Sequence, residues 1–191
     1  MVRAIIFDCF GVLTTEAWLA FVDSLPDDVD VDQVRNVHRA YTAGMIDKKQ
    51  CADQIKELSG RSFVYAEDLP SDETPKNTVL LDYIRELRGR GYKIGLLSNI
   101  ASTWITDTFL TAEEQALFDS IVLSFQVGMV KPDPRIFKLI CDNLGAELDE
   151  TILVDDIDRY CIAAEAEGIH AVVYKDFKQA KKEIEDHLVI K

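Results

Sequence analysis

The 191-residue sequence has no apolar run long enough to cross a membrane, no internal repeat and no cysteine pair with metal-site or disulfide-framework spacing. Positive charge is also scarce, since 21 Lys and Arg face 34 Asp and Glu and give a formal net charge of −13. This charge argues against nucleic acid or an anionic membrane as a partner. No signal-peptide pattern precedes the first apolar run, and the four cysteines resemble small buried thiols, so a cytoplasmic protein is expected.

The chain alternates short apolar runs with helical patterns. Five β-rich runs predict strands at residues 3–7, 92–97, 121–125, 151–154 and 170–174. Asp133 and Pro134 indicate the start of a helix that ends at Gly145, and residues 158–167 form another helical pattern. Such alternation predicts an α/β fold with a doubly wound parallel sheet and right-handed crossovers.

Residues 14–76 interrupt this alternation because they show helical patterns only, at residues 16–25, 31–44 and 47–58. A polar stretch at residues 67–77 with two prolines then predicts a linker. The sequence therefore predicts an α/β core made of residues 1–13 and 77–191. An all-helical cap, residues 14–76, is expected to be inserted after the first strand and to cover the strand ends.

Polar side chains follow the predicted strands or precede a helix at four places. These residues are Asp8, the pair Ser98 and Asn99, Lys131, and the pair Asp155 and Asp156. Because the carboxyl ends of parallel strands line one crevice, these groups are expected to converge. Carboxylates can hold a divalent cation and one can attack phosphorus, while a hydroxyl, an amide and a lysine can bind phosphoryl oxygens. The pattern predicts phosphoryl transfer.

The same segments resemble the signature motifs of the haloacid dehalogenase superfamily. The matching segments are Phe7-Asp8-Cys9-Phe10-Gly11-Val12-Leu13, Leu96-Leu97-Ser98-Asn99, Val127-Gly128-Met129-Val130-Lys131-Pro132-Asp133-Pro134 and Leu153-Val154-Asp155-Asp156. All four occur in the family's order. The resemblance implies a Rossmann-like core with a helical cap, and a Mg²⁺-dependent phosphatase that acts on a small phosphorylated metabolite.

The resemblance also implies a role for each matching residue. Asp8 would be the nucleophile and a metal ligand, with an aspartyl-phosphate as intermediate. The other metal-site residues would be Asp155, Asp156 and Phe10, the last through its backbone carbonyl. The phosphoryl group would be held by Ser98, Asn99 and Lys131.

Phe10 departs from the family pattern, because phosphatases of this family usually carry an aspartate at that position as general acid and base. Losing such a group costs on the order of 10²–10⁴ in rate, so weak or altered activity is expected. A catalytically silent binding domain is therefore one alternative. A 2-haloacid dehalogenase is another, since those enzymes resemble this chain in having an aromatic residue there. They work without metal, however, and the Asp155-Asp156 pair favours a magnesium site.

Other conspicuous residues have ordinary structural explanations. His38 shows no metal-ligand spacing, and Arg35 and Arg39 are expected to lie on a solvated helix face rather than to contact a second anionic group. Trp18 and Trp104 are expected to pack against neighbours rather than to stack on a ligand.

Overall fold

The computed structural model describes residues 1–15, 17–65, 68–69 and 74–189. Five strands form one sheet, and they are β1 (Ala4–Phe7), β2 (Lys93–Ser98), β3 (Ser120–Leu123), β4 (Thr151–Asp155) and β5 (His170–Val173). All neighbouring strands are parallel and their order is β3-β2-β1-β4-β5. The predicted strands are thus confirmed to within one or two residues, and β1 lies at the centre of the sheet.

The described part of the chain contains nine α-helices. They are α1 (Trp18–Asp23), α2 (Val31–Thr42), α3 (Lys48–Ser59), α4 (Thr78–Gly89), α5 (Ala112–Gln115), α6 (Ser124–Val127), α7 (Pro134–Leu144), α8 (Asp158–Ala166) and α9 (Phe177–Val189). A π-helical turn at Ile105–Phe109 and a 3₁₀ turn at Leu148–Glu150 complete the set. The predicted start of α7 is confirmed, since the Asp133 side chain accepts a hydrogen bond from the Arg135 amide at 3.0 Å.

The central strand β1 is buried on both faces. Its successive side chains point to opposite sides of the sheet, and each set packs into a different core. Ile5 and Phe7 belong to the core that includes α4 and α9. Ala4 and Ile6 belong to a second core that includes α7 and α8. Helices therefore cover both faces of a parallel sheet, which confirms the predicted α/β class.

Helices α1 to α3, together with residues 61–65, form a helical insertion between β1 and β2 with a small apolar cluster of its own. The chain leaves and re-enters the core at one point, where the Asn77 amide group donates to the Val12 carbonyl at 2.9 Å. The Thr14 hydroxyl donates to the Pro75 carbonyl there at 2.7 Å. The division into a core and a cap at residues 13 and 77 stays a prediction. Much of the predicted linker, residues 67 and 70–73, lies outside the described residues.

The helical insertion is anchored to the carboxyl ends of β2 and β3. The buried Ser124 hydroxyl, directly after β3, donates to the carbonyl of Thr42 at the end of α2 at 2.5 Å. The same oxygen accepts a hydrogen bond from the amide of Ile100, two residues beyond β2, at 2.9 Å. These contacts hold the insertion at the edge of the sheet where the predicted site residues lie.

Two further sequence expectations concern the whole chain. All four cysteines are buried, as predicted. None of the helices in the described ranges has both the length and the apolar character that a bilayer-spanning helix needs.

Candidate active site

Asp8 and Asp155 lie side by side because their strands are neighbours in register. Phe7 is paired with Val154, and the Asp8 amide donates to the Val154 carbonyl at 2.9 Å. The chain continues from these positions into Asp8 on one strand and Asp155 on the other, and both carboxylates are buried. With Asp156 they form a cluster in which one oxygen of each carboxylate lies within 4.8 Å of the others. The structure thus brings the three predicted acids together.

Lys131 reaches into this acid cluster from the loop before α7. Its Nζ lies 2.8 Å from Asp8 Oδ2 and 2.5 Å from Asp155 Oδ2, and its side chain is completely buried. Burial by itself would lower the pKa of the Lys131 ammonium, but the carboxylates of Asp155 and Asp8 outweigh burial and raise it. The lysine therefore stays positively charged and joins the ends of two strands.

Negative charge remains in excess, since three carboxylates face the one Lys131 ammonium. Burial raises the pKa of the Asp8 carboxyl well above its usual range, and although Lys131 opposes this, Asp155 and Asp156 add to it. A group of buried carboxylate oxygens with surplus negative charge has the donor chemistry that Mg²⁺ and other hard divalent cations require. The residues present fit such an ion.

Asp156 is placed by its contact with Gly11. A Cβ atom built at Gly11 would overlap the Asp156 carboxylate, and Gly11 also has a φ of +78°, a conformation that side chains disfavour. Glycine is thus required here for two reasons, and it lets the acidic pair approach the loop that follows Asp8.

Ser98 ends the neighbouring strand β2, on the other side of β1, and Asn99 follows it. The Ser98 hydroxyl is buried and has no hydrogen-bond partner within the described ranges. The Asn99 side chain accepts from the Lys131 amide at 2.8 Å and donates to the Lys131 carbonyl at 3.0 Å. Asn99 therefore positions the Lys131 backbone, and that it also holds the phosphoryl group stays a prediction. Ser98 presents a polar atom of the kind a phosphoryl oxygen can satisfy.

Tyr160, four residues after the acidic pair, is a further neighbour of this site. Its hydroxyl accepts hydrogen bonds from the Asn99 amide group and from Arg159, each at 3.3 Å, and its ring lies 5.2 Å from Lys131 Nζ. No sequence pattern linked these residues, because Asn99 and Tyr160 are 61 positions apart.

Phe10 is half-buried and its ring stacks on Trp104, with 6.0 Å between ring centroids and 13° between the planes. Trp104 in turn stacks on Phe109, so its predicted packing role is confirmed. A phenyl ring carries no transferable proton, and the position that would hold a general acid is apolar here. That the Phe10 carbonyl binds the metal stays a prediction.

A cavity of about 480 Å³ extends from Asp8 and Lys131 to the helical insertion. On the side of the insertion it is lined by an aromatic wall, which we define as Trp18, His38, Phe63 and Tyr65. Trp18 packs against the other rings, as predicted, but it also lines the cavity. Arg35 and Arg39 line the cavity too, and Arg39 is exposed, as expected, whereas Arg35 is half-buried.

Comparison with known proteins identifies the family to which this site belongs. A model of the haloacid dehalogenase-like hydrolase family matches residues 2–168. The chain belongs to this family. The four motif segments all fall inside the matched region, and the resemblance predicted from them is confirmed.

Relatives within the family differ in length. Pig (Sus scrofa) bifunctional epoxide hydrolase 2 is 28% identical over 148 residues, which are 73% of this chain but 26% of that protein. The chain thus spans about a quarter of its length. A sesquiterpene phosphatase of Aspergillus oryzae is 29% identical over 180 residues, which are 87% of each protein. An enzyme of the family from Bacteroides thetaiotaomicron, solved in complex with magnesium and inorganic phosphate, has a TM-score of 0.61 and 22% identity, covering 92% of this chain and 95% of that one.

Proposed function

We propose that the protein is a magnesium-dependent phosphatase of small phosphorylated metabolites that works through an aspartyl-phosphate on Asp8. The observation that carries the proposal is the buried Asp8 carboxylate, 2.8 Å from the Lys131 ammonium, at the end of a 480 Å³ cavity. The phosphatase named among the relatives and the magnesium and phosphate bound by the structural neighbour support it. In this proposal residues 14–76 form the cap over a core of residues 1–13 and 77–191.

Asp8, Asp155 and Asp156 would hold the magnesium ion, together with the backbone carbonyl of Phe10. When bound, the ion supplies positive charge that offsets the carboxylates and the phosphate dianion. The Ser98 hydroxyl and the Lys131 ammonium are the groups we assign to phosphoryl oxygens, and Asn99 keeps the Lys131 backbone in place. Lys131 thus contributes to the site both as a positive charge and as a link between strands.

The reaction then has two steps. A carboxylate oxygen of Asp8 attacks phosphorus, the bond between phosphorus and the ester oxygen breaks, and the leaving alkoxide or phenoxide takes a proton from solvent. Water next attacks the phosphorus of the aspartyl-phosphate, which releases inorganic phosphate, a proton and the free Asp8 carboxylate. Phe10 cannot supply or accept either proton, so substrates whose leaving group needs little protonation are favoured.

An aryl phosphate such as p-nitrophenyl phosphate tests the proposal, since its leaving group needs no general acid. Wild type with Mg²⁺ is expected to release phosphate, and the isosteric Asp8→Asn variant to lose at least about 10³-fold in kcat/KM. The exposed Asp82, on α4, offers a matched control, and Asp82→Asn should keep wild-type activity. Equal rates for wild type and Asp8→Asn would refute the proposal.

A catalytically silent binding domain is the second candidate, and the apolar stack of Phe10 on Trp104 is what favours it. It predicts no turnover across a panel of phosphorylated metabolites while Mg²⁺ or inorganic phosphate still raises the thermal midpoint. The dehalogenase alternative predicts halide release from a 2-haloacid that persists in excess chelator. Loss of all activity with EDTA would exclude dehalogenation.

A further inference from the structure

The cavity above Asp8 has an aromatic wall built from three separate segments. Trp18 comes from α1, His38 from α2, and Phe63 and Tyr65 from the segment after α3. The rings of Trp18 and His38 stack with centroids 3.7 Å apart, and Phe63 meets Trp18 edge to face at 5.2 Å. Tyr65 meets Phe63 edge to face at 4.8 Å. Because each ring packs against another, the wall is a preformed aromatic surface.

The wall carries no charge at neutral pH. Burial lowers the pKa of His38 to about 3, so its imidazole stays neutral. The Tyr65 hydroxyl is engaged inside the helical insertion, 3.1 Å from Cys51 Sγ. Of the charged residues that line the cavity on the far side from Asp8, Asp32, Arg39 and Arg159 are exposed to water. Arg35 is half-buried and pairs with Asp32 at 3.4 Å.

This distribution disfavours a sugar or polyol as the carbon body of the substrate. A hydroxyl group placed against the rings of Trp18 or Phe63 would lose its hydrogen bonds to water without gaining equivalent ones. A flat apolar group would instead bury its surface there and could stack on the rings. The part of the cavity that the aromatic wall lines thus favours an apolar group over a polyol.

Phe10 restricts the other end of the substrate, the ester oxygen. Without a proton donor at that position, the leaving oxygen departs as an anion or takes its proton from solvent. A phenol, with a pKa of about 10 as in tyrosine, departs much more readily than an aliphatic alcohol. The aromatic wall and the missing proton donor at Phe10 therefore favour the same kind of alcohol, one that is both flat and acidic.

We infer that the substrate is a phosphate monoester of an aromatic alcohol, whose ring system lies against the aromatic wall while its phosphoryl group meets Asp8 and Lys131. This inference rests on the proposed phosphatase function and names its substrate class. It also assigns Trp18, His38, Phe63 and Tyr65 to substrate selection.

The test compares kcat/KM in the presence of Mg²⁺ for four substrates, which are 2-naphthyl phosphate, phenyl phosphate, octyl phosphate and glucose 6-phosphate. Phenol and 2-naphthol are similarly acidic, so their ratio reports contact with the wall rather than leaving-group chemistry. We expect naphthyl phosphate to exceed phenyl phosphate by about tenfold, and both to exceed the octyl and sugar esters. A naphthyl-to-phenyl ratio of one, or an octyl or sugar ester turned over as well as naphthyl phosphate, overturns the inference.

A pair of phenylalanine variants tests whether the preference for naphthyl phosphate over phenyl phosphate comes from the aromatic wall. Phe63→Ala removes a ring of the wall and is expected to bring the naphthyl-to-phenyl ratio towards one. Phe177→Ala removes a ring of the same size from α9, where it packs on Tyr83, and is expected to keep the wild-type ratio. Equal ratios in the two variants would remove Phe63 and the wall from substrate selection.

A binding measurement on the wild-type protein separates this inference from the proposed function and requires no variant to fold. Calorimetry with 2-naphthylphosphonate and methylphosphonate, neither of which can be hydrolysed, should show about tenfold tighter binding of the naphthyl compound. If no ester is hydrolysed but this preference holds, the phosphatase proposal fails and the assignment of the cavity stands. Equal affinities overturn the assignment whatever the activity.

Discussion

The two ends of the cavity are held together by different forces. At the inner end, Lys131 contacts two buried carboxylates at 2.8 and 2.5 Å, and the partners are fixed by the register of adjacent strands. At the outer end, the rings of the aromatic wall pack on one another, and they come from segments that belong to the helical insertion. A site of this kind keeps its reacting groups on rigid strands and leaves substrate selection to a part that can vary without disturbing them.

The largest effect is expected from removing the charge that links the strands at the inner end. Lys131→Met leaves the carboxylates of Asp8 and Asp155 buried without their ammonium, which should lower the free energy of unfolding by about 3 kcal/mol and abolish activity. Urea unfolding measures the loss. Lys138→Met, which removes an exposed lysine paired with Asp142 at 3.3 Å, should cost little. Similar losses in the two variants would contradict the ionic account of the inner end.

A backbone change at Gly11 probes the same end without removing a charge. Gly11→Ala forces the Asp156 carboxylate to move and is expected to reduce kcat/KM by about 10²-fold, since misplacing a site group by 1 Å has that effect. Gly128→Ala is the matched control, because Gly128 also has a positive φ, of +64°, but nothing lies within 4 Å of its added Cβ. Conformational strain should therefore be alike in both, and equal activities would show that the contact with Asp156 is unimportant.

A smaller effect is expected at the outer end, from the neutral His38. Its pKa is lowered from 6.5 to about 3 by burial, so above pH 6.5 neither the folded nor the unfolded state binds a proton there. Below that pH the unfolded state binds the proton and the folded state does not, which lowers stability as pH falls. We expect wild type to lose about 1 kcal/mol more than His38→Phe between pH 7 and pH 5, allowing for the partial exposure of the side chain.

Urea midpoints of the two proteins at both pH values give this difference, and groups common to both cancel. The phenyl ring can keep the stack on Trp18. An identical pH dependence in wild type and His38→Phe would mean that His38 is solvated and that the aromatic wall is less apolar than its packing indicates.

The inner end was predictable from the sequence, and the reasons are local. Asp8 and the Asp155-Asp156 pair directly follow β-rich apolar runs, and parallel strands place such residues at one edge of the sheet. The cap of α7 was predictable as well, because Asp133 and Pro134 are a short-range signal. The observed strand limits differ from the predicted ones by one or two residues; β2, for example, ends at Ser98 rather than at residue 97.

The outer end was not predictable, because its members share no sequence pattern. Trp18, His38 and Phe63 come from different segments and meet only when the insertion folds. The same holds for Asn99, whose contacts with the Lys131 backbone join residues 32 positions apart. Long-range contacts of this kind depend on how helices pack on the sheet. The spacing of apolar residues along the sequence predicts the helices but not how they pack.

Magnesium binding tests the central claim most directly, namely that the acids at the sheet edge form one cation site. Isothermal titration of the protein with MgCl₂ is expected to show one site in wild type and none in Asp155→Asn, with Asp82→Asn as a control that binds normally. The thermal midpoint should rise with Mg²⁺ only in the proteins that bind it. Magnesium affinity equal in wild type and Asp155→Asn, or no binding by wild type, would contradict the account.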